Sequence, residues 1–276
     1  MAKGGESMHK FRREHFAKFS EFIYKNYGIS MNEARREILR NKLNKLMARH
    51  EVHDYDEYFT RLCKAGNERL MVEFVDEITV NMTSFFRESS HFEYIKSNIA
   101  GILEKNPGIA GKGEIRVWSA ACSTGEEAYT LAMVLKEHLP EYIHVKVLAT
   151  DISSRVLSKA QAGVYSLSAA GNVEYLYLKK YFVQCSEGYR ISEAIRKLVT
   201  FRQFNLMESF PFRNSFDMVF CRNVMIYFDP EVRRSLLEKF YSILSPGGLL
   251  FIGHSESIAG SALRFSYVQP TIYSRN

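Results

Sequence analysis

Residues 115–127 read IRVWSAACSTGEE, and no other stretch restricts the fold of this chain so strongly. Ile115, Val117 and Trp118, followed by Ala120 and Ala121, form an apolar run that suits a strand buried on both faces of a parallel sheet. Ser119, Ala120, Ala121, Ser123 and Gly125 are small enough to let a ligand approach the backbone, and the apolar-periodic run 128–139 then predicts a helix. Strand, small-residue turn and helix make the first half of a nucleotide-binding βαβ unit. The turn lacks GxGxxG, and it is followed by two acids, Glu126 and Glu127. Carboxylates there would repel a pyrophosphate and attract an ammonium.

A chain of 276 residues with 46% hydrophobic residues can bury a full core in one or two domains. Upstream of the turn, Phe11, Phe16, Phe19, Phe22, Ile23 and Tyr27 recur at helical spacing, with Gly28 as the stop signal. A second helix is expected over 32–50, with Ile38, Leu39, Leu43, Leu46 and Met47 on one side. Arg35, Arg36, Arg40, Lys42, Lys45 and Arg49 occupy much of the rest. This basic face is either a solvated surface or a docking surface for an acidic helix. Two further helical patterns, 55–64 and 67–80, complete a small all-helical domain over 8–80. The segment 81–88, NMTSFFRE, is an interdomain turn with an aromatic anchor, or a lid. Ser90 and Glu93 fit a capping box for a helix over 91–104 that Pro107 and Gly108 end, with a loop over 108–113 leading into the strand. Residues 81–113 therefore read as linker, lid and helix, ahead of a catalytic domain over 114–276.

Downstream, 145–150 reads as a second strand ending in Asp151, which accepts hydrogen bonds from ribose hydroxyls or caps the helix over 154–162, two roles that can coexist. Over 173–200, the aromatic run Tyr175 to Phe182, a hydrophilic turn at 185–188 and Tyr189 to Ile191 suggest a strand-turn-strand hairpin. A strand over 198–204 closes on Asn205 and Leu206. Another, 215–223, ends in Asn223, with Val224, Ile226, Tyr227 and Phe228 following at its carboxyl end, where open α/β sheets bind ligands. A helix from Asp229-Pro230 to Leu244, a turn at 245–248, a strand over 249–252 and a final strand over 265–273 finish the chain. Polar groups at these strand ends (Glu126 and Glu127, Asp151, Asn205, Asn223) share one edge of the sheet. They suit a ligand with a ribose, an amino group and no phosphate, and S-adenosylmethionine has those parts.

The four cysteines, Cys63, Cys122, Cys185 and Cys221, lack CxxC spacing and histidine partners, so neither a metal site nor a disulfide framework is expected. No signal peptide or membrane-spanning run is evident, which points to a cytoplasmic protein with reduced thiols. The net charge of +6 suggests an acidic partner.

The strings NMTSFFRE, RVWSAACSTGEEAY, ATDIS, FRQFNL, FCRNVMIYF and LSPGGLLFIGHSES follow one another from Asn81 to Ser257. In that order they resemble the chemotaxis receptor glutamate methyltransferases (CheR), and the segment before Asn81 resembles that family's basic N-terminal domain. The resemblance implies an α/β fold: a class I S-adenosylmethionine-dependent methyltransferase (Rossmann-like) sheet with a final antiparallel strand, a small N-terminal all-helical domain, and an inserted β-subdomain at about 173–200. It implies S-adenosylmethionine as cofactor, S-adenosylhomocysteine as product, and no metal. Asn81, Thr83 and Arg87 would contact the cofactor, and Ala121 would lie against it in the turn. Glu127, ranked above Glu126, would hold the methionine ammonium, and Asp151 the ribose. Asn205 and Leu206 would frame the adenine, with Asn223 and Val224 as the floor. Arg87 and Tyr227 would serve the reaction by steering the acceptor glutamate.

That acceptor has a pKa of about 4.3, so it is already a nucleophile at neutral pH and needs no general base; the work left is positioning. The implied partner is an acidic helical bundle of a chemoreceptor, docked by Arg36, Arg40, Lys42, Lys45 and Arg49. Family members that need a C-terminal receptor pentapeptide carry a longer glycine-rich segment in the subdomain. Here only residues 183–188 separate Phe182 from Tyr189, so pentapeptide independence is expected. The competing readings are a nucleic-acid methyltransferase, against which the absence of Asn-Pro-Pro-aromatic at 223–227 weighs, and a noncatalytic sensor of the cofactor.

Overall fold

The computed structural model describes residues 10–258 and 264–276. The chain divides after Val80 into two compact units. The first is helical: α1 Arg13–Tyr27, a 3-10 turn Glu33–Arg35, α2 Arg36–Arg49, α3 Tyr55–Cys63 and α4 Glu68–Ile78. Each helix turns its apolar stripe inward. Phe19 and Ile23, Leu43 and Leu46, Tyr55 and Tyr58, and Phe74 form one closed core. The helix expected over 32–50 is shorter than its pattern, because its first turn winds as the 3-10 segment.

The second unit contains α5 Ser90–Lys105, α6 Pro107–Lys112, β1 Glu114–Ala120, α7 Glu126–His138, β2 His144–Asp151, α8 Ser154–Ala162, β3 Val164–Tyr165 and α9 Leu167–Ala170. It continues through α10 Tyr175–Tyr181, β4 Phe182–Cys185, β5 Gly188–Ile191, α11 Glu193–Arg196, β6 Val199–Gln203 and β7 Phe216–Cys221. A 3-10 turn Met225–Tyr227, α12 Pro230–Ile243, β8 Leu244–Ile252, β9 Phe265–Gln269 and β10 Ile272–Arg275 complete it. Among the described residues the main sheet has the order β6-β2-β1-β7-β8-β10-β9. Pairings from β6 to β8 are parallel, and β10 runs antiparallel to both β8 and β9. The chain winds outward from β1 through β2 to β6 and then returns to the other side of β1 at β7. The topological switch point therefore lies between the carboxyl ends of β1 and β7, where Ala120 pairs with Cys221. Such a point opens a crevice in a sheet of this kind.

Several local expectations give way to the structure. Residues 81–113 join the sheet unit rather than forming a separate segment, since Phe85, Phe92, Ile95, Ile102 and Ile109 lie in its core. The capping box does not form: Ser89 takes the N-cap position and Glu93 pairs with Lys96 at 2.8 Å, one helical turn on. Pro107 opens a short helix instead of ending one, as the first helical position permits. The aromatic run from Tyr175 is helix α10. Tyr177 and Tyr181 are buried at i, i+4 spacing, while Tyr175 and Leu176 stay exposed. The small sheet consequently starts at Val164, with the order β3-β5-β4. Gly188 lets β3 approach, because a Cβ there would sit 2.4 Å from the Tyr165 carbonyl. Residues 245–248 are an irregularity inside β8 rather than a turn, and the last expected strand is a hairpin, β9 and β10. No helix among the described residues is long and apolar enough to cross a membrane.

Candidate active site

The turn after β1 is held open by conformations that side chains seldom adopt. Ala121 and Ser123 have φ of 63° and 50°, and Gly125 has 94°. A Cβ on Gly125 would lie 2.8 Å from that of Ala160, so glycine is required by packing as well as by φ. Such strain persists only where neighbours fix it, and Asp151 is the chief restraint. Its Oδ2 accepts from Ser123 N and its Oδ1 from Ser153 N, both at 2.9 Å. The N-cap alternative for Asp151 is corrected here: Ser153 is the N-cap of α8, accepting from Val156 N. Ser123 also donates its Oγ proton to the Asn81 carbonyl at 2.9 Å, tying the 81–88 segment to the turn.

Across the switch point stands Arg222, directly after the buried strand β7, with its side chain 2% exposed. Its guanidinium donates to Glu88 Oε2 (2.8 Å), to Glu127 Oε2 (2.9 Å) and to the Arg87 carbonyl, and lies 5.6 Å from the Phe92 ring centroid. Ser119 Oγ donates to the other Glu127 oxygen at 2.7 Å, and Asn223 Nδ2 donates to Glu88 Oε1 at 3.0 Å. Two carboxylates thus share one guanidinium, and Asp151 adds a third acid at the neighbouring strand end. The donor set fits a ligand with cationic centres and disfavours a phosphate.

Burial alone would push the Glu88 carboxyl up, but the Asn223 amide and the Arg222 guanidinium hold it at about 2. A depressed carboxylate stabilises the fold above its unfolded pKa, and that contribution disappears as pH falls through the folded value. The gap in melting temperature between the native chain and Glu88→Gln is therefore expected to be widest above about pH 4.5 and to close towards pH 2. A gap independent of pH would refute the ion-pair account.

The β7 end is shaped from the other side. Asn223 has φ 59°, and its N–H donates to Glu256 Oε2 at 3.0 Å; Gly253 N donates to the same oxygen at 2.6 Å and Ile226 N to Oε1 at 3.3 Å. Burial raises the Glu256 pKa against these amide donors. Gly253 has no room for a side chain, since a Cβ would meet Asn223 Nδ2 at 2.6 Å and Glu256 Oε2 at 2.9 Å. Val224 and Tyr227 follow on the loop that Glu256 holds, partly exposed.

The remaining expected site residues are distributed as follows. Glu126 and Glu127 diverge: Glu126 is buried, hydrogen-bonded to Thr124 at 2.7 Å and raised in pKa by desolvation, while Glu127 faces Arg222. Asn205 accepts from Met207 N at 3.0 Å, and Leu206 beside it is buried. Thr83 and Arg87 are partly exposed, and Arg87 donates to the Met82 carbonyl at 2.7 Å. Glu88, Arg222 and Glu256 had no assigned role in the sequence reading. A charged residue closing the wholly apolar run before Arg222 was the one signal that could have singled it out. His91 and His254 stand beside Glu88 with ligand atoms within 4.8 Å, but both Glu88 oxygens are already bonded, and burial together with Arg222 holds His91 at about 3.

The basic face of α2 is largely answered within its own unit. Arg36 meets Glu33 (3.0 Å) and Arg40 meets Glu37 (2.6 Å), while Lys45 and Arg49 share Glu77 at 2.9 and 3.5 Å. Lys42 departs from the docking expectation, because its Nζ donates to the Ile78 and Thr79 carbonyls at the end of α4. The other four remain partly or fully exposed, in pairs of the kind that exchange readily.

Two family models match: CheR methyltransferase, all-alpha domain, over residues 14–79, and CheR methyltransferase, SAM binding domain, over residues 81–274. The chain is 38% identical over 269 residues to a chemotaxis protein methyltransferase of Borreliella burgdorferi, covering 96% of this chain and 95% of that one. It is 35% identical over 277 residues to chemotaxis protein methyltransferase 2 of Pseudomonas aeruginosa, covering 98% and 96%. The chemotaxis protein methyltransferase of Escherichia coli is 34% identical over 265 residues, covering 94% and 90%.

Proposed function

The chain belongs to the CheR methyltransferase family, and from that premise we propose that it methylates glutamate side chains on cytoplasmic helices of chemoreceptors, with S-adenosylmethionine as cofactor. The observation that carries this reading is the charge at the switch point, where Glu88 and Glu127 share Arg222 and Asp151 adds a further carboxylate. Glu127 would hold the methionine ammonium, and Asp151 the ribose hydroxyls. Asn205 and Leu206 would frame the adenine, with Asn81, Thr83, Ala121, Asn223 and Val224 lining the remainder. The assignment to Glu127 rather than Glu126 is supported by where the two side chains point: Glu126 turns back to Thr124, while Glu127 faces Arg222 at the switch point.

The cofactor supplies a methyl group made electrophilic by its sulfonium. The chain's residues need only orient an acceptor carboxylate that is already ionised and keep water from it. Arg87 and Tyr227 steer that carboxylate. Arg87 also stabilises the ground-state anion, so its contribution rests on aim rather than on charge alone. Arg36, Arg40, Lys45 and Arg49 face the acidic receptor helices, exchanging their intradomain partners for receptor carboxylates. The short β4–β5 connection, Ser186 and Glu187, supports action without a tethering pentapeptide.

The test is transfer of a labelled methyl group to a receptor cytoplasmic fragment, with the label released as methanol by mild base. Equal labelling is expected whether or not the receptor ends in the pentapeptide. Arg87→Ala should lower kcat by roughly 100-fold, the scale of a misaligned reactant. Label appearing in nucleic acid instead, or tight cofactor binding without any transfer, would overturn the proposal.

A further inference from the structure

Lys239, on α12, holds the loop after β6 from outside the strand-end cluster. Its Nζ donates to three successive backbone carbonyls, those of Leu206 (3.2 Å), Met207 (2.9 Å) and Glu208 (2.9 Å). An ammonium has three donors and no acceptor, so convergent peptide oxygens saturate it. The same turn is closed on its other side by Asn205, whose Oδ1 accepts from Met207 N at 3.0 Å and whose carbonyl accepts from Glu208 N at 3.0 Å. Below it, Phe204, Phe210 and Phe212 pack around Trp118 with ring centroids 6.1, 5.0 and 4.8 Å away. Lys239 Nζ stands 5.3 Å from the Phe210 ring. The aromatic cluster sets the depth of the loop but is non-directional, whereas the lysine fixes which way its peptide groups face.

We propose that Lys239 is a positioning residue for recognition of the cofactor's base: by capturing the carbonyls of residues 206–208 it holds the turn that fixes the Asn205 side chain and presents Leu206. This rests on the reading of Asn205 and Leu206 as the adenine frame. Nothing else in the sheet unit substitutes for it among the described hydrogen bonds to those carbonyls. Lys239 is itself only partly buried, on a helix whose core contacts come from Leu236, Leu237 and Phe240, so its replacement is expected to leave the packing of α12 in place.

Lys239→Met keeps the length and the apolar stem but removes every donor. It is expected to raise the KM for S-adenosylmethionine and the Kd for S-adenosylhomocysteine by about tenfold, equivalent to about 1.4 kcal/mol, with kcat at saturation within about twofold of native. Discrimination against an analogue carrying hypoxanthine in place of adenine should fall by a similar factor. Lys239→Arg retains charge and donors but spreads them over a planar fork, so it should restore part of both. A loss confined to kcat, or weaker binding with base discrimination and arginine rescue both absent, would overturn the inference and leave Lys239 a structural residue. Asn205→Ala separates this from the reading beneath it. If that variant keeps full base discrimination, the adenine frame itself is wrong; if it loses discrimination while Lys239→Met does not, only the role of Lys239 fails.

Discussion

Arg222→Met is expected to abolish measurable cofactor binding and to lower folding stability by about 3–5 kcal/mol, the cost of removing one partner from a buried ion pair. The guanidinium is almost wholly buried and serves both Glu88 and Glu127, so its loss leaves two carboxylates in a desolvated crevice with Asn223 and the His254 backbone amide still on Glu88 and Ser119 on Glu127. For Glu88 the burial that opposes its charge then acts without the guanidinium that offsets it, so the stability this carboxylate contributes above its unfolded pKa shrinks and the deficit of the variant narrows as pH falls. The Arg87 carbonyl is released at the same time, which removes one of the restraints on the 81–88 segment. Urea denaturation and calorimetry with S-adenosylhomocysteine measure the two effects. Adding Glu88→Gln to the variant should recover part of the lost stability, since one buried charge is removed with its partner. A single variant that stays within about 1 kcal/mol of native and binds the cofactor normally would show that the Arg222 hub is dispensable.

Asp151→Ala should have the second-largest effect. Two buried backbone donors, Ser123 N and Ser153 N, lose their acceptor, at about 1–3 kcal/mol each. One of them belongs to a residue held at φ 50°, so the turn is expected to relax away from the ligand. Cofactor affinity should fall by roughly 100-fold, about 2.7 kcal/mol, as the turn and the proposed ribose contact are lost together. Asp151→Asn, which retains one acceptor oxygen, should fall between. The control is Ser153→Ala, which removes the α8 cap while leaving the Ser153 N–H on Asp151, and should cost about 1 kcal/mol of stability with affinity unchanged. Equal affinity losses in Asp151→Ala and Ser153→Ala would mean that the helix end, and not the carboxylate, governs binding.

These two residues differ in how far a sequence discloses them. Asp151 is legible because it closes an apolar run at a fixed distance from a small-residue turn. Its actual bonds are also local in space, since β2 lies beside β1. Arg222 is not, because Glu88 is 134 residues away in sequence and Glu127 is 95 away. No periodicity links positions so distant, and Arg222 and Glu88 each look like an ordinary charged residue beside its neighbouring element. Glu256 is hidden for the same reason: its oxygens collect amides from a loop 30 or more residues earlier. Lys42 misleads in the opposite direction. It continues a basic face, yet its reach to the α4 carboxyl end turns a surface charge into a cap. The run from Tyr175 misleads because aromatic residues suit strands and buried helix faces equally, and only burial of Tyr177 and Tyr181 decides between them.

Local chemistry in the sequence was sufficient for what neighbours along the chain determine. The apolar run into a small-residue turn, the acid at the end of β2 and the amphipathic helices before Asn81 each follow from side-chain size and spacing. So does the preference of an acidic turn for an ammonium over a phosphate. Tertiary structure decided which charges meet. Winding the chain back past β1 placed β7 beside it, and that topology put one buried guanidinium between carboxylates from two other elements. In a desolvated crevice the strength of each charge depends on its partners, and partners are a property of the fold.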